Sequence, residues 1–133
     1  MQKSTNFIII VFILIIAVAF TAGISPNQNK WTAPKSADNF KNPISRNDAT
    51  IADGKKIFTN LCVVCHGNKG KGDGIAGMVL NPRPANFTSS FIQSQSDGAI
   101  YWKITTGKAP MASYEKTLSE TQRWYLVNYI RNF

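Results

Sequence analysis

The sequence CVVCH at residues 62–66 is the most informative stretch of this 133-residue chain. Two thiols at this spacing can add across the two vinyl groups of a porphyrin, which stand a fixed distance apart. The residue after the second thiol then lies beneath the iron, where an imidazole nitrogen can bind the metal. We therefore predict one covalently attached haem c per chain, with Cys62 and Cys65 forming the thioethers and His66 as an axial iron ligand.

Four alternatives to haem attachment are weaker. The motif arises by chance in a chain of this length on the order of once in a thousand sequences, given average residue frequencies. A redox-active dithiol of the thioredoxin kind belongs to a βαβ context, which this sequence does not offer. A structural zinc ion needs four ligands, whereas the chain has two cysteines and one histidine. A disulfide between Cys62 and Cys65 would leave His66 and the glycine-rich segment after it unexplained.

A sixth iron ligand has to come from outside the motif. His66 is the only histidine, so ligation by two histidines of one chain is impossible. The methionines are Met1, Met78 and Met111, and Met1 belongs to the apolar N-terminal segment. Met78 lies so soon after His66 that its loop would have to wrap the haem edge very tightly. Met111 follows a predicted helix and has enough chain to reach the opposite haem face, so we favour Met111 over Met78.

Apolar periodicity predicts helices and no strand in the C-terminal two thirds of the chain. Apolar residues recur at spacings of three and four from residue 50 to residue 61. A second helix is expected over Asp97–Thr106, with its first residue as the N-cap and Gly107 just past its end. A third begins at Ser119, with Gln122 in capping-box spacing. The predicted fold class is all-α, with about three to four helices and long loops around one haem.

The N-terminal part of the chain has a different composition. Residues 7–24 form a nearly continuous apolar run. This length suits either a cleaved signal peptide or an uncleaved membrane anchor, which needs about 20 apolar residues, so both remain open for residues 1–24. Residues 25–48 carry three prolines among many Asn and Ser residues, which predicts an extended strap whose largest apolar side chain is Trp31. The haem domain then spans residues 49–133.

The chain is basic, with a formal net charge of +8. Such a surface attracts acidic partners, and no repeat of aromatic and basic residues indicates binding of nucleic acid. Lys69 and Lys71 follow the attachment motif, while Lys103 and Lys108 flank the end of the second predicted helix. These lysines either surround the haem edge and guide docking to acidic surfaces of redox partners, or simply keep the domain soluble.

These features resemble class I monohaem c-type cytochromes over residues 49–133. The sequence GKGDG at residues 70–74 is similar to the Gly-x-Gly-Asp-Gly loop of a bacterial subgroup, and residues 129–131 resemble the closing helix of that family. The family often has proline directly after the ligand methionine. Here a proline precedes Met111 and an alanine follows it.

The resemblance implies roles for two further kinds of residue. In the family, a glycine lets the first helix cross the last one closely, and this glycine is Gly54 here, opposite Leu126 and Tyr129. A proline carbonyl accepts the Nδ1 proton of the proximal histidine and fixes its ring. We assign that role to Pro84, with Pro82 as the alternative.

The resemblance also implies an electron carrier rather than an enzyme. Covalent attachment of haem c takes place outside the cytoplasmic membrane, so we expect the periplasmic side of a bacterial cytoplasmic membrane and a role in a respiratory chain. One alternative is a haem c subunit of a larger membrane redox complex. A less favoured one is a haem enzyme or gas-binding protein with an open sixth position, for which Asp73 and Glu115 are the nearest candidate carboxylates.

Overall fold

The structure is a computed structural model that describes residues 31–133. The predictions for residues 1–24 and for the first part of the strap lie outside the described residues. Five helices follow one another: α1 (Asp48–Leu61), α2 (Val63–His66), α3 (Ser90–Gln93), α4 (Asp97–Thr106) and α5 (Glu120–Ile130). Two 3-10 turns cover Lys35–Asn39 and Gly77–Val79.

The all-α class is confirmed. Within residues 31–133, the only extended pairing is an isolated bridge between Lys108 and Met111. The number of helices in residues 31–133 exceeds the three to four expected. The reason is that α2 and α3 are single turns of four residues each, which are too short to produce a periodic pattern. None of the helices in this part of the chain has the length and apolar character needed to cross a bilayer.

The helix ends follow local capping chemistry. Helix α1 begins before the predicted residue 50 because Asn47 and Thr50 form a reciprocal capping box. Helix α4 has the predicted bounds, but the N-cap is Ser96, whose hydroxyl accepts from the Ala99 amide, so the prediction of Asp97 as the cap is wrong. The predicted capping box of Ser119 at the start of α5 is confirmed.

Helices α1 and α5 form the main packing interface of the domain. Gly54 lies where the two helices cross, and a Cβ atom there would stand 2.8 Å from the Cβ of Tyr129. The predicted close crossing is therefore confirmed, although the backbone it approaches is that of Tyr125 rather than Leu126. Beside the crossing, Phe58 and Val127 are almost completely buried, so the two helices share one core.

The strap packs on the domain from residue 31 onward. Trp31 lies against Trp102 of α4, with 6.0 Å between ring centroids. Ala37, in the first 3-10 turn, is fully buried, and its carbonyl lies against the Cα of Gly98 in α4. The Asn42 side-chain amide donates to the side-chain Oδ1 of Asn128 in α5 at 2.8 Å. This part of the strap thus follows α4 and reaches α5.

Candidate haem site

The attachment helix α2 follows α1 almost without a break. The Cys62 amide still donates to the Phe58 carbonyl of α1 at 2.8 Å, and the Cys65 and His66 amides then donate to the Cys62 carbonyl at 3.1 and 2.8 Å. One helical turn therefore separates the two cysteines, which places both thiols on the same side of the helix. Gly67, with a φ of 75°, ends the turn directly after His66.

His66 is buried, with 8% of its surface exposed, and its ring is held on two sides. Nδ1 lies 3.3 Å from the Ala85 carbonyl, to which it donates when it carries the proton, so Nε2 is left free to bind a metal. The ring stacks on Phe87, with 4.4 Å between centroids and an angle of 16° between planes. Burial lowers the pKa of His66, and the hydrogen bond to the Ala85 carbonyl only partly opposes this effect. The lowered pKa favours the neutral imidazole, which is the form that ligates iron.

The prediction that Pro84 provides this carbonyl is wrong in this structure. The Pro84 carbonyl instead lies against the Cα of Gly72, where a Cβ atom would collide with it. Gly72 has a φ of 75°, and its amide donates to the His66 carbonyl at 2.9 Å. Because the glycine-rich loop occupies the space in front of Pro84, the next carbonyl along the chain, that of Ala85, faces the imidazole.

Of the two thiols, that of Cys62 is poorly suited to metal or redox chemistry. Both thiols are half-buried and not bonded to each other. Burial, and to a smaller extent the neighbouring Cys65, raise the pKa of the Cys62 thiol to about 12. A thiol that stays protonated at neutral pH is a poor zinc ligand and a poor redox nucleophile. Among residues 31–133, moreover, no cluster of three or more His, Cys, Asp and Glu side chains is arranged to hold a metal ion.

The loop that carries Met111 is tied through Tyr114 to the last residue of α1. The Tyr114 hydroxyl donates to the Leu61 carbonyl at 3.3 Å, directly before Cys62. Burial raises the pKa of Tyr114, and the Cys62 and Cys65 thiols raise it further. Met111 itself is half-buried and paired through its backbone with Lys108.

Met78, the alternative sixth ligand, lies on the glycine-rich side of the site. It is 52% exposed and follows the loop whose Ala76 amide donates to the Val64 carbonyl of α2 at 2.9 Å. The loop that bears Met78 is therefore bonded to the attachment helix itself. Met111 is the methionine carried by a separate segment, between α4 and α5. The choice between the two stays a prediction.

Three residues of the site could not be identified from the sequence. Phe87 and Ala85 lie in an irregular stretch without periodicity, and Tyr114 lies in a loop whose partner, Leu61, is 53 positions away. An aromatic residue shortly after Pro84 is the one sequence signal that could have pointed to Phe87.

Taken together, the donor set fits a covalently bound haem. Two thiols one turn apart and a neutral imidazole with a free Nε2 provide the attachment points. Apolar side chains beside α2 are left uncovered by the protein, which suits an apolar macrocycle or partner. They are Val64, Ile75, Met78 and Val79.

The family model for cytochrome c matches residues 51–133. Among solved structures, a chain of the Kuenenia stuttgartiensis reducing HAO-like protein complex Kustc0457/Kustc0458 is 33% identical, with a TM-score of 0.60. The match covers 68% of this chain and 46% of that one, so this chain corresponds to about half of its relative. No curated protein matches. Members of the matched family carry covalently attached haem c, typically one per domain, and transfer electrons. With the attachment motif, the histidine geometry and the helical fold in agreement, the chain belongs to the cytochrome c family.

Proposed function

We propose that this protein is an electron carrier whose single haem c is ligated by His66 and Met111. The observation that carries the proposal is the hydrogen bond from Tyr114, which ties the Met111 loop to Leu61 at the end of α1, directly before Cys62. Bound haem supplies a one-electron iron couple, and methionine–histidine ligation raises its reduction potential. Both positions are then filled, so the site suits electron transfer rather than substrate binding.

The chain's own residues hold the iron ligands in place. His66 is clamped between the Ala85 carbonyl and the Phe87 ring, which fixes both its tautomer and its orientation. Tyr114 holds the opposite loop to the end of α1. Because neither segment has to move when the iron changes charge, the cost of rearranging the protein at each electron transfer stays small.

A docking surface beside α2 is part of the proposal. Val64 is 51% and Val79 84% exposed, and the backbone bond from Ala76 to Val64 joins their segments. Lys69 and Lys71 are exposed on the intervening loop. An apolar centre with a cationic rim fits a redox partner that presents carboxylates around an apolar patch.

Lys103, expected in the same ring of lysines, does not belong to it. Its side chain is buried, bonded to the Gln95 amide oxygen, and its ammonium lies 5.5 Å from the centre of the Trp31 ring. Burial lowers the pKa of Lys103. It therefore takes part in the strap contact, and Lys108 remains the exposed lysine at this end of α4.

Two substitutions test the ligand assignment. In the haem-loaded protein, Met111→Ala should abolish the red-region sulfur-to-iron band of the oxidised state, lower the reduction potential and allow rapid carbon monoxide binding to the reduced state. Met78→Ala, the matched control, should change none of these. If Met78→Ala loses the band and Met111→Ala keeps it, the assignment is reversed. If the wild-type protein lacks the band and binds carbon monoxide rapidly, the open-site alternative is correct.

A second candidate function is that of a haem c subunit in a larger redox complex. Its support is the 33% identical relative, which is a chain of a multi-component complex. Asp73 and Glu115 are both exposed, so the site offers little support for an enzymatic role of the chain itself. Purification of the full chain from its native host under mild detergent separates the candidates: a subunit elutes with stoichiometric partners, and a free carrier elutes alone.

The cellular location is proposed from the apolar run within residues 1–24 and from the chemistry of haem attachment. We propose the periplasmic side of a bacterial cytoplasmic membrane and service in a respiratory chain. Fractionation of the native host and the intact mass of the mature protein test this and distinguish a retained anchor from a cleaved signal peptide.

A further inference from the structure

Arg123, near the start of α5, is a buried cation without a carboxylate partner. Only 5% of its surface is exposed, yet within residues 31–133 the ion pairs involve other residues, Lys56 with Asp53 and Arg131 with Asp97. Burial of an arginine is costly unless its donors are satisfied. Within residues 31–133 the Arg123 Nε has no hydrogen-bond partner, so the bonds of Nη1 and Nη2 alone compensate for burying the charge.

The partners of these two nitrogens are almost all in the segment between Met111 and α5. Nη1 donates to the carbonyls of Glu115 at 3.1 Å and Tyr114 at 3.5 Å, and also to the carbonyl of Leu118. Nη2 donates to the Tyr101 hydroxyl of α4 at 2.9 Å. The guanidinium also lies over the Tyr101 ring, 5.3 Å from its centre. One side chain thus joins α4, α5 and the loop between them.

The same loop is bonded to α4 and to the end of α1, directly before the attachment motif. The Tyr114 amide donates to the Ile104 carbonyl at 3.2 Å, and the Tyr114 hydroxyl donates to the Leu61 carbonyl. Arg123 therefore fixes the main chain of Tyr114, while Tyr114 fixes the distance from the loop to Cys62. Met111 is only three residues before Tyr114.

We infer that Arg123 is a positioning residue that holds the Met111 loop in place for iron ligation, by binding three main-chain carbonyls of the residue 114–118 segment. This inference rests on the proposed ligation by Met111. The planar guanidinium fork supplies several donors in fixed directions, which a lysine ammonium cannot reproduce. Loss of the fork removes the side-chain donor of the Glu115 and Leu118 carbonyls, leaves the Tyr114 carbonyl with only the Leu118 amide, and lets the methionine sulfur leave the iron more often.

The residue that caps the C-terminus of α5, Arg131, offers a matched control. Arg131 also spreads its donors over one carboxylate and two carbonyls, those of Asp97, Gln93 and Gln95, but none of these belongs to the Met111 loop. Arg123→Met and Arg131→Met should therefore both lower global stability. Only Arg123→Met should loosen the sixth ligand.

The readout is the rate at which carbon monoxide binds the reduced, haem-loaded protein, since the methionine must first depart. We expect a rise of about tenfold or more in Arg123→Met, because hydrogen bonds to charged groups are the stronger kind. Arg131→Met should stay within about twofold of wild type. On heating the oxidised protein, the sulfur-to-iron band of Arg123→Met should disappear before the helical signal, whereas in Arg131→Met both should disappear together. Equal rates in the two variants, or a wild-type rate in Arg123→Met, would overturn the inference.

A milder variant covers the case in which Arg123→Met does not accumulate with haem. Tyr101→Phe removes one acceptor and keeps the aromatic packing, so the binding rate should rise about fivefold, as for one ordinary hydrogen bond. A wild-type rate in Tyr101→Phe would also count against the positioning role. Failure of the proposed ligation has a different signature: Met111→Ala would then retain the sulfur band, whatever the Arg123 variants show.

Discussion

The crossing of α1 and α5 makes a sharp prediction for Gly54→Ala. A Cβ atom at this position would stand 2.7 Å from the carbonyl carbon of Tyr125 and 2.8 Å from the Cβ of Tyr129. Carbon atoms pack best at about 3.5–4.0 Å, so the helices would have to separate by roughly 1 Å. Neither obstacle is the flexible end of a side chain, so the strain cannot be relieved by a rotamer change.

The expected loss follows from two opposing terms. Overpacking of a core costs about 1–3 kcal/mol, and the upper end applies because one obstacle is a backbone atom of α5 and the other is a Cβ atom fixed directly to that backbone. Replacement of glycine by alanine inside a helix raises the free energy of unfolding by about 1 kcal/mol, because alanine has the higher helix propensity. We therefore expect Gly54→Ala to lose about 2 kcal/mol of the free energy of unfolding, which lowers the melting temperature by about 8–16 °C in a domain of this size.

The assay is thermal and denaturant unfolding of the haem-loaded protein, followed by far-ultraviolet circular dichroism. Ala52→Gly, at an exposed position of the same helix, calibrates the helix-propensity term and should by itself lose about 1 kcal/mol. A Gly54→Ala protein that melts at or above the wild-type temperature would refute the reasoning, because the propensity gain would then exceed any cost of separating the helices.

Two further predictions concern the site. Phe87→Ala removes the ring stacked on His66 and should cost about 3–5 kcal/mol in denaturant unfolding; a loss below about 1 kcal/mol would show that the ring does not support the imidazole. Tyr114→Phe tests the bond to Leu61 through its pH dependence. Burial raises the pKa of Tyr114 above its ordinary value of 10.0. The protonated phenol therefore contributes fully to the free energy of unfolding below pH 10, and this contribution declines as the pH rises through the folded-state pKa. The stability difference between wild type and Tyr114→Phe should therefore narrow above that pH, and a constant difference across the range would contradict the role of the phenol.

Much of the helical framework could be predicted because its determinants are local. Helix α4 has the predicted bounds because its apolar pattern ends at Gly107, where a φ of 66° stops the helix. The Ser119 capping box likewise involves residues three positions apart. The start of α1 differs from the prediction by two residues because the pattern of apolar side chains says nothing about the asparagine that caps it.

The surroundings of the iron ligands could not be predicted to the same extent because they depend on contacts between distant segments. Which carbonyl faces His66 depends on how closely the glycine-rich loop approaches Pro84. The family resemblance indicated the Pro84 carbonyl, whereas in the structure it is that of the next residue, Ala85. Lys103 illustrates the same limit. Its sequence position suggested a surface charge, whereas the strap folds back and buries it beneath Trp31.

The arginine within α5 and the one that caps its C-terminus have a consequence for how this domain can vary. Arg123 and Arg131 bind mostly main-chain oxygens, which every amino acid supplies. Substitutions in the two connecting segments can therefore alter surface chemistry without removing an acceptor. Deletion of a single residue would shift the acceptors by up to about 3.5 Å, more than a hydrogen bond tolerates. Related proteins should accordingly diverge freely in the composition of these connections while their lengths stay constant.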